Sequence, residues 1–238
     1  MPNIYIFLTI VMSSLIKGVT GFGFALLSLP ILLMWYEPVE IIPVLMVCNL
    51  VASLFIVLQK KKNKLIDKPS KLLLVSGGLF TILGVVVLKH VDADVLIHFA
   101  GFFFIGLTIL SLFNRRPKRA VALHTYPIVG SIIGLITGVI SISGPPLALF
   151  LNRANVDNKK FREIFAWFSI VTATIAIIGY TQMGMFTNQV IKLSLMFIPI
   201  LLVGSLVGKY LNEIISIQSF KAVNILLTLI SCVLLLSN

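Results

Sequence analysis

The chain has 238 residues, 58% hydrophobic and 11% charged, with a mean hydropathy of +1.08. Soluble domains are about 45–50% apolar and about 25% charged, so a soluble enzyme or binding module is excluded and a polytopic membrane protein is indicated. The net charge of +11 does not point to nucleic acid, because the basic residues sit in short connectors between apolar runs and no recognition module accompanies them.

A helical span takes about 20 apolar residues. The first apolar stretch, 3–36, is too long for one. As a straight helix it would run about 50 Å, against a hydrocarbon core of about 30 Å. It is interrupted by "GVTGFGFALLSLP" (18–30), with three glycines and a proline, and lacks the basic n-region of a cleaved signal. Simple spans are predicted at roughly 39–58, 72–91 and 95–113. A basic linker at 114–125 leads to 126–151, where "GLITGVISISGPP" (134–146) repeats the interruption. Simple spans follow at roughly 164–183, 190–208 and 220–236.

The connectors set the orientation. "KKKNKLIDKPSK" (60–71), with six lysines, and "NRRPKR" (114–119), with four basic residues, belong on the cytoplasmic side. "YEPVE" (36–40) and "VDAD" (91–94) then fall outside. The connector "NRANVDNKKFRE" (152–163) carries Arg153, Lys159, Lys160 and Arg162 and also belongs inside. That conflicts with 126–151 crossing once. The conflict disappears if 126–151 enters from the cytoplasm, turns at "SISGPP" and returns, since irregular backbone is tolerated at membrane depth where protein or a water-filled cavity surrounds it.

The same treatment of 3–36, entered from outside, gives an all-α polytopic membrane protein of two inverted-topology halves. Each half is a broken Gly-Pro hairpin plus three transmembrane helices, eight apolar segments in all: 1–113, the linker 114–125, and 126–238. Eight plain spans with one connector on the wrong side stand as the alternative.

The two motifs share little sequence: "TG" at 20–21 and 137–138, and "SLP" at 28–30 against "SGP" at 143–145, with unequal spacing. Their chemistry is what matters. Glycine permits positive φ, and proline deletes a donor and stops a helix. Half-helix N-termini at such breaks offer unpaired N–H groups and partial positive charge, which suit an anion. Hydroxyls of Thr20, Ser28, Ser141 and Ser143 can add neutral hydrogen bonds.

Lys17 is the sole cation beside a motif. It either meets an anion near the turn or snorkels to an interface. Asn49, mid-span, serves a ligand or an interhelical bond. Gly130, Gly134 and Gly138, four residues apart, and Gly204 with Gly208, read as helix-packing faces. Lys89, His90, Lys192, Lys209 and Lys221 read as interfacial anchors. Cys48 and Cys232 lie in apolar segments without neighbouring ligands, and His98 and His124 lack partners at ligand spacing, so neither a disulfide nor a metal site is expected.

"GVTGFGFALLSLPIL" and "GLITGVISISGPPLALFLNRANVDNKKFRE" resemble the two half-motifs of the sulfite exporter TauE/SafE family over essentially the whole chain. The resemblance implies a transporter of small, often sulfur-containing anions such as sulfite, sulfonates or similar organic acids. It carries over to Gly21, Gly23 and Pro30, then Ser143, Gly144, Pro145, Pro146 and Arg162. Phe22 and Phe24 flank Gly23 where the family often has consecutive glycines, which bears on cavity size and substrate.

Secondary anion transport by alternating access across the cell membrane is therefore the leading expectation, with an anion channel or an accessory subunit of a larger complex as the alternative. A coupling proton or sodium ion and a homodimer stay open. No cofactor is called for. A serine-type intramembrane enzyme is disfavoured because no histidine follows His124, and ATP-driven transport because "GSLVGK" (204–209) lacks the phosphate-loop spacing.

Overall fold

A computed structural model describes residues 4–20, 23–58, 66–113 and 121–214. These residues form nine helices and no strand: α1 (Ile4–Thr20), α2 (Phe24–Leu32), α3 (Pro38–Leu58), α4 (Lys68–His90), α5 (Ala93–Phe113), α6 (Thr125–Ile140), α7 (Gly144–Arg153), α8 (Asn158–Gln182) and α9 (Asn188–Ile214). The helices α3, α4, α8 and α9 are long and apolar enough to cross a bilayer, while α1, α6 and Ala93–Leu107 of α5 are shorter apolar pieces. Five of the six simple spans expected from sequence thus coincide with helices. The sixth, 220–236, lies outside the described residues, as do Gly21, Cys232 and Lys221.

Both interrupted stretches are broken helices. Gly23, which caps α2, has φ 110°, a left-handed conformation that only glycine adopts without strain. At the second break the last turn of α6 closes on Ser141 at φ 58°, and α7 starts with Gly144, Pro145 and Pro146. Prolines are harmless there, because first-turn N–H groups have no partner within the helix.

The core is assembled by glycine-lined helix crossings. The helix α1 packs along α9, α4 along α6, and α3 lies against α8. A Cβ on Gly18 would lie 2.8 Å from the Cα of Gly208, and one on Gly208 3.0 Å from the Cα of Gly18. Gly84 and Gly138 make the equivalent approach, at 2.8 and 2.9 Å. Gly130 meets Leu73 and Gly134 meets Gly77 along the same α4–α6 line, so this run packs helices as expected. Both pairs run parallel, since contacts advance together: Ser14 with Gly204 then Gly18 with Gly208, and Leu73 with Gly130 then Gly84 with Gly138.

Two polar ties mark the ends of the bundle. Lys160 donates to Asp67 at 2.6 Å, joining the start of α8 to the cap of α4. Gln189 donates to Glu40 at 3.2 Å, joining the starts of α9 and α3. The helix α8, 25 residues and so about 37 Å long, separates the two faces. The start of α6 lies beside that of α4, and α7 leads through residues 154–157 into α8. Both ends of the 125–153 stretch therefore lie at the Asp67 face. By the same reasoning α1, parallel to α9, starts toward the Glu40 face, to which α2 returns. Leu79, Phe102, Leu195 and Val203 are exposed on the outside, a distribution suited to lipid rather than water.

Candidate anion site at the two helix breaks

Lys17 sits one turn before the first break and is only 4% exposed. Its Nζ donates to Asn49 Oδ1 at 2.9 Å and lies 5.9 Å from the centre of the Phe24 ring, within reach of a cation–π contact. The Asn49 Nδ2 in turn donates to the carbonyl and to the hydroxyl oxygen of Ser141, both at 3.1 Å. The Ser141 hydroxyl contacts Met46 Sδ at 3.8 Å. One short polar chain thus links the first break, the middle of α3 and the second break.

These groups border a cavity of about 20 Å³, room for roughly one water molecule. Of the residues expected from sequence, Lys17, Gly23, Asn49, Ser141, Ser143, Gly144 and Pro145 line it. Gly23 with Ala25 and Leu26 brings the N-terminus of α2 to the cavity, and Ser143 with Gly144 brings that of α7. The two ends differ chemically. First-turn N–H groups of α2 are available as donors, whereas Pro145 and Pro146 leave α7 with fewer.

The second break is well supported. Thr137 donates to the carbonyls of Ile133 (2.6 Å) and Ile142 (3.3 Å), tying the residues on either side of the turn. The buried Tyr180 hydroxyl donates to the Gly138 carbonyl at 2.6 Å, satisfying an acceptor near the end of α6. The Ser141 N–H reaches the Thr137 carbonyl at 2.8 Å and holds a serine in a conformation that glycine would adopt more easily.

Four expected residues do not line the cavity. Ser28 lies further along α2 and donates its hydroxyl to the Phe24 carbonyl at 2.6 Å. Pro30 is buried inside α2, and Pro146 is one residue beyond the lining. Arg162 is exposed on the first turns of α8. Thr20 ends α1 with its side chain outside the described residues, and Gly21 is outside them entirely. Conversely, Ala25, Leu26, Ile142 and Phe165 line the cavity without having been singled out from sequence; nothing in an apolar letter distinguishes such a wall from ordinary core. Among the described residues no cluster of His, Cys, Asp and Glu is arranged to hold a metal.

The model of the family described as sulfite exporter TauE/SafE matches residues 6–235. The chain belongs to this family. TauE/SafE proteins are membrane transporters, not enzymes, and the match covers both breaks together with every helix that borders the cavity. The resemblance drawn from the two motifs therefore holds over the whole described fold. No curated protein and no solved structure matches the chain.

Proposed function

We propose that this TauE/SafE protein is a secondary transporter that moves a small anion, most simply a sulfur-containing one such as sulfite or a sulfonate, across the cytoplasmic membrane by alternating access. The observation that carries the proposal is the Lys17–Asn49–Ser141 chain, a buried lysine with no carboxylate partner among the described residues, bordered by both helix breaks. A buried ammonium without a counter-charge is costly, and an anion arriving beside it offsets that cost. Lys17, Asn49, Ser141 and the α2 N-terminus are assigned as substrate contacts. Ser143 and Gly144 complete the wall, and the 20 Å³ cavity must widen to admit sulfite.

The inverted arrangement of two halves is part of this reading, and the packing supports it. Gly138 and Leu135 stand 120 residues after Gly18 and Leu15, and Gly208 and Ser205 stand 124 residues after Gly84 and Thr81. Gly18 packs on Gly208 and Ser205, while Gly138 packs on Gly84 and Thr81. A two-fold exchange of halves reproduces this pattern, with α1 matching α6, α4 matching α9, and α3 and α8 paired with each other. In this register Gly23 corresponds to Ser143, each the residue before a half-helix, a better match than the "TG" pairs. Each break then forms a hairpin entering from one side, and movement of one half against the other exposes the site to each side in turn.

The test is uptake and counterflow in proteoliposomes across sulfite, sulfonates and small carboxylates. Saturable flux with trans-stimulation is expected. Linear, non-saturating flux would replace the carrier with a channel.

A further inference from the structure

Resting on that reading of the site, we infer that Lys17 is also the coupling group, so that each monoanion crosses together with one proton carried on the Lys17 amine. Transporters usually carry their coupling proton on an intramembrane carboxylate. The lining of this cavity offers none: its polar groups are Lys17, Asn49, Ser141 and Ser143, and the buried carboxylate of Glu163 on α8 lies outside that lining. A coupling proton must therefore use Lys17 or not reside at the site at all.

The surroundings of Lys17 suit a group that changes charge. On α3 its partner Asn49 is an amide, whose orientation is fixed because Nδ2 already donates to the Ser141 carbonyl, leaving Oδ1 to face the lysine. That oxygen accepts a hydrogen bond from an ammonium or, more weakly, from a neutral amine, so the contact survives either state. On α2 the lysine meets the face of Phe24. From α6 and α7 the cavity receives Ser141, Ser143, Gly144 and Pro145, and from α8 Phe165, none of them ionisable. Along α9 the residues against this part of α1 are Ser205 and Gly208. The titratable side chain facing Lys17 from α3 is the buried thiol of Cys48, which is not a carboxylate. No fixed negative charge among these groups holds the proton on.

The consequence is a reciprocal linkage. An ammonium here favours an anion beside it, and an anion there favours the ammonium, each by the same factor. The neutral amine takes a proton from water on the side to which the site is open, and the anion binds the resulting ammonium. After the site opens on the opposite side the anion leaves and the ammonium returns its proton to water. No bond other than N–H forms or breaks, and one negative and one positive charge cross together. The cycle is electroneutral for a monoanion.

The test uses the full chain and methanesulfonate, a sulfonate ionised across the working pH range, with sulfite as a second probe. Titration calorimetry in two buffers of different ionisation enthalpy counts protons taken up per anion bound. The expected result is uptake approaching one proton at alkaline pH, with the apparent Kd there rising about tenfold per pH unit. In liposomes, flux should acidify the receiving compartment and ignore a potassium–valinomycin potential. Lys17→Arg, charged at every pH, should bind without proton uptake and make any remaining flux voltage-dependent. Asn49→Asp should fill the need for an anion internally and weaken methanesulfonate binding at least tenfold. Cys48→Ala should keep the wild-type proton count. Anion binding by wild type with no proton uptake at any pH, or wild-type flux driven by voltage, overturns the coupling role and leaves anion transport standing. If neither probe binds or moves, both readings fall.

Discussion

Lys160 on the first turn of α8 and Asp67 at the cap of α4 form an ion pair of 2.6 Å that joins the two halves across one face of the bundle. Glu40 and Gln189 make the corresponding tie on the other face, with a charge on one partner only. If alternating access opens one face at a time, the Asp67 face is held by the stronger tie. Partly exposed ion pairs contribute about 0.2–1 kcal/mol, so Asp67→Asn should shift the balance between states by roughly 1.4- to fivefold. A cysteine at Ser143 should then react faster with a polar thiol reagent applied from the Asp67 side. The swap Asp67→Lys with Lys160→Asp should restore the slower rate. Equal labelling of all three proteins would show that this pair gates nothing.

The same pair sets an acid limit. Burial alone would raise the Asp67 carboxyl, but hydrogen bonds from Lys160 and Ser70 outweigh it and hold the group below its ordinary value. A depressed carboxylate contributes stability that is fully present above the unfolded value of about 4 and is lost as pH falls through the lower folded value. Wild type should therefore lose more thermal stability between about pH 5 and pH 3 than Asp67→Asn does. The difference is small because the Asp67 side chain is 44% exposed. Parallel melting curves for the two proteins over that range would remove Asp67 from the acid response.

Helix contacts carried by glycine should be the least forgiving positions. At Gly138 an added Cβ would stand 2.9 Å from the Cα of Gly84, with the backbone carbonyl of Thr81 nearer still. Backbone cannot rotate away as a side chain does, so Gly138→Leu must separate α4 from α6. A cost of about 1–3 kcal/mol or more is expected, read as a lower Tm in detergent. Gly106→Leu on α5, with nothing within 4 Å of its Cβ, is the control and should melt near wild type. Matching Tm values for both variants would mean that the α4–α6 approach is looser than described.

How far the sequence carried these conclusions differs from residue to residue. The two breaks were legible because glycine and proline act locally: Gly23 and the Ser141–Pro146 stretch interrupt helices where their letters say they should. The placement of Lys160 beside Asp67 agrees with the basic connector's charge and with both ends of 126–151 lying on one face. The lining was only half legible. Asn49 stood out as an amide in an apolar run, but its two-sided contact with Lys17 and Ser141 spans separations of 32 and 92 residues, which no local pattern encodes. Ser28 bonds its own backbone at the Phe24 carbonyl, as a hydroxyl in a helix readily does, and no letter in the motif shows that choice of partner.

Asn49 is the joint of the polar chain, and its replacement should be felt on both sides. Asn49→Leu keeps the size but leaves the Lys17 amine and the Ser141 carbonyl without their partner. Buried groups stranded in this way cost about 1–3 kcal/mol each. Ser141→Ala removes one acceptor but leaves the carbonyl to receive the Asn49 amide, so a loss nearer 0.5–1.5 kcal/mol is expected. Denaturation in detergent should rank the variants in that order. A wild-type midpoint for Asn49→Leu would show that water replaces the amide freely and that the site is wetter than its 20 Å³ allows.

The hairpin reading makes the sharpest prediction about sidedness. Leu123, just before α6, and Arg153, at the end of α7, are both exposed, and so is Lys71 on the first turn of α4. Glu37 and Asn188 are exposed at the opposite end of the bundle. In a background with Cys48 and Cys232 replaced by alanine, single cysteines at 71, 123 and 153 should react with an impermeant reagent from one side only. Those at 37 and 188 should react from the other. The positive-inside bias assigns the first group to the cytoplasm, since the lysine-rich connector 60–71 leads into it. A stretch that crossed the membrane once would put 123 and 153 on opposite sides. That single result would dissolve the second hairpin and leave Lys160 unable to reach Asp67. It would also leave the two motifs as kinks in ordinary spans, with no shared cavity for an anion to enter.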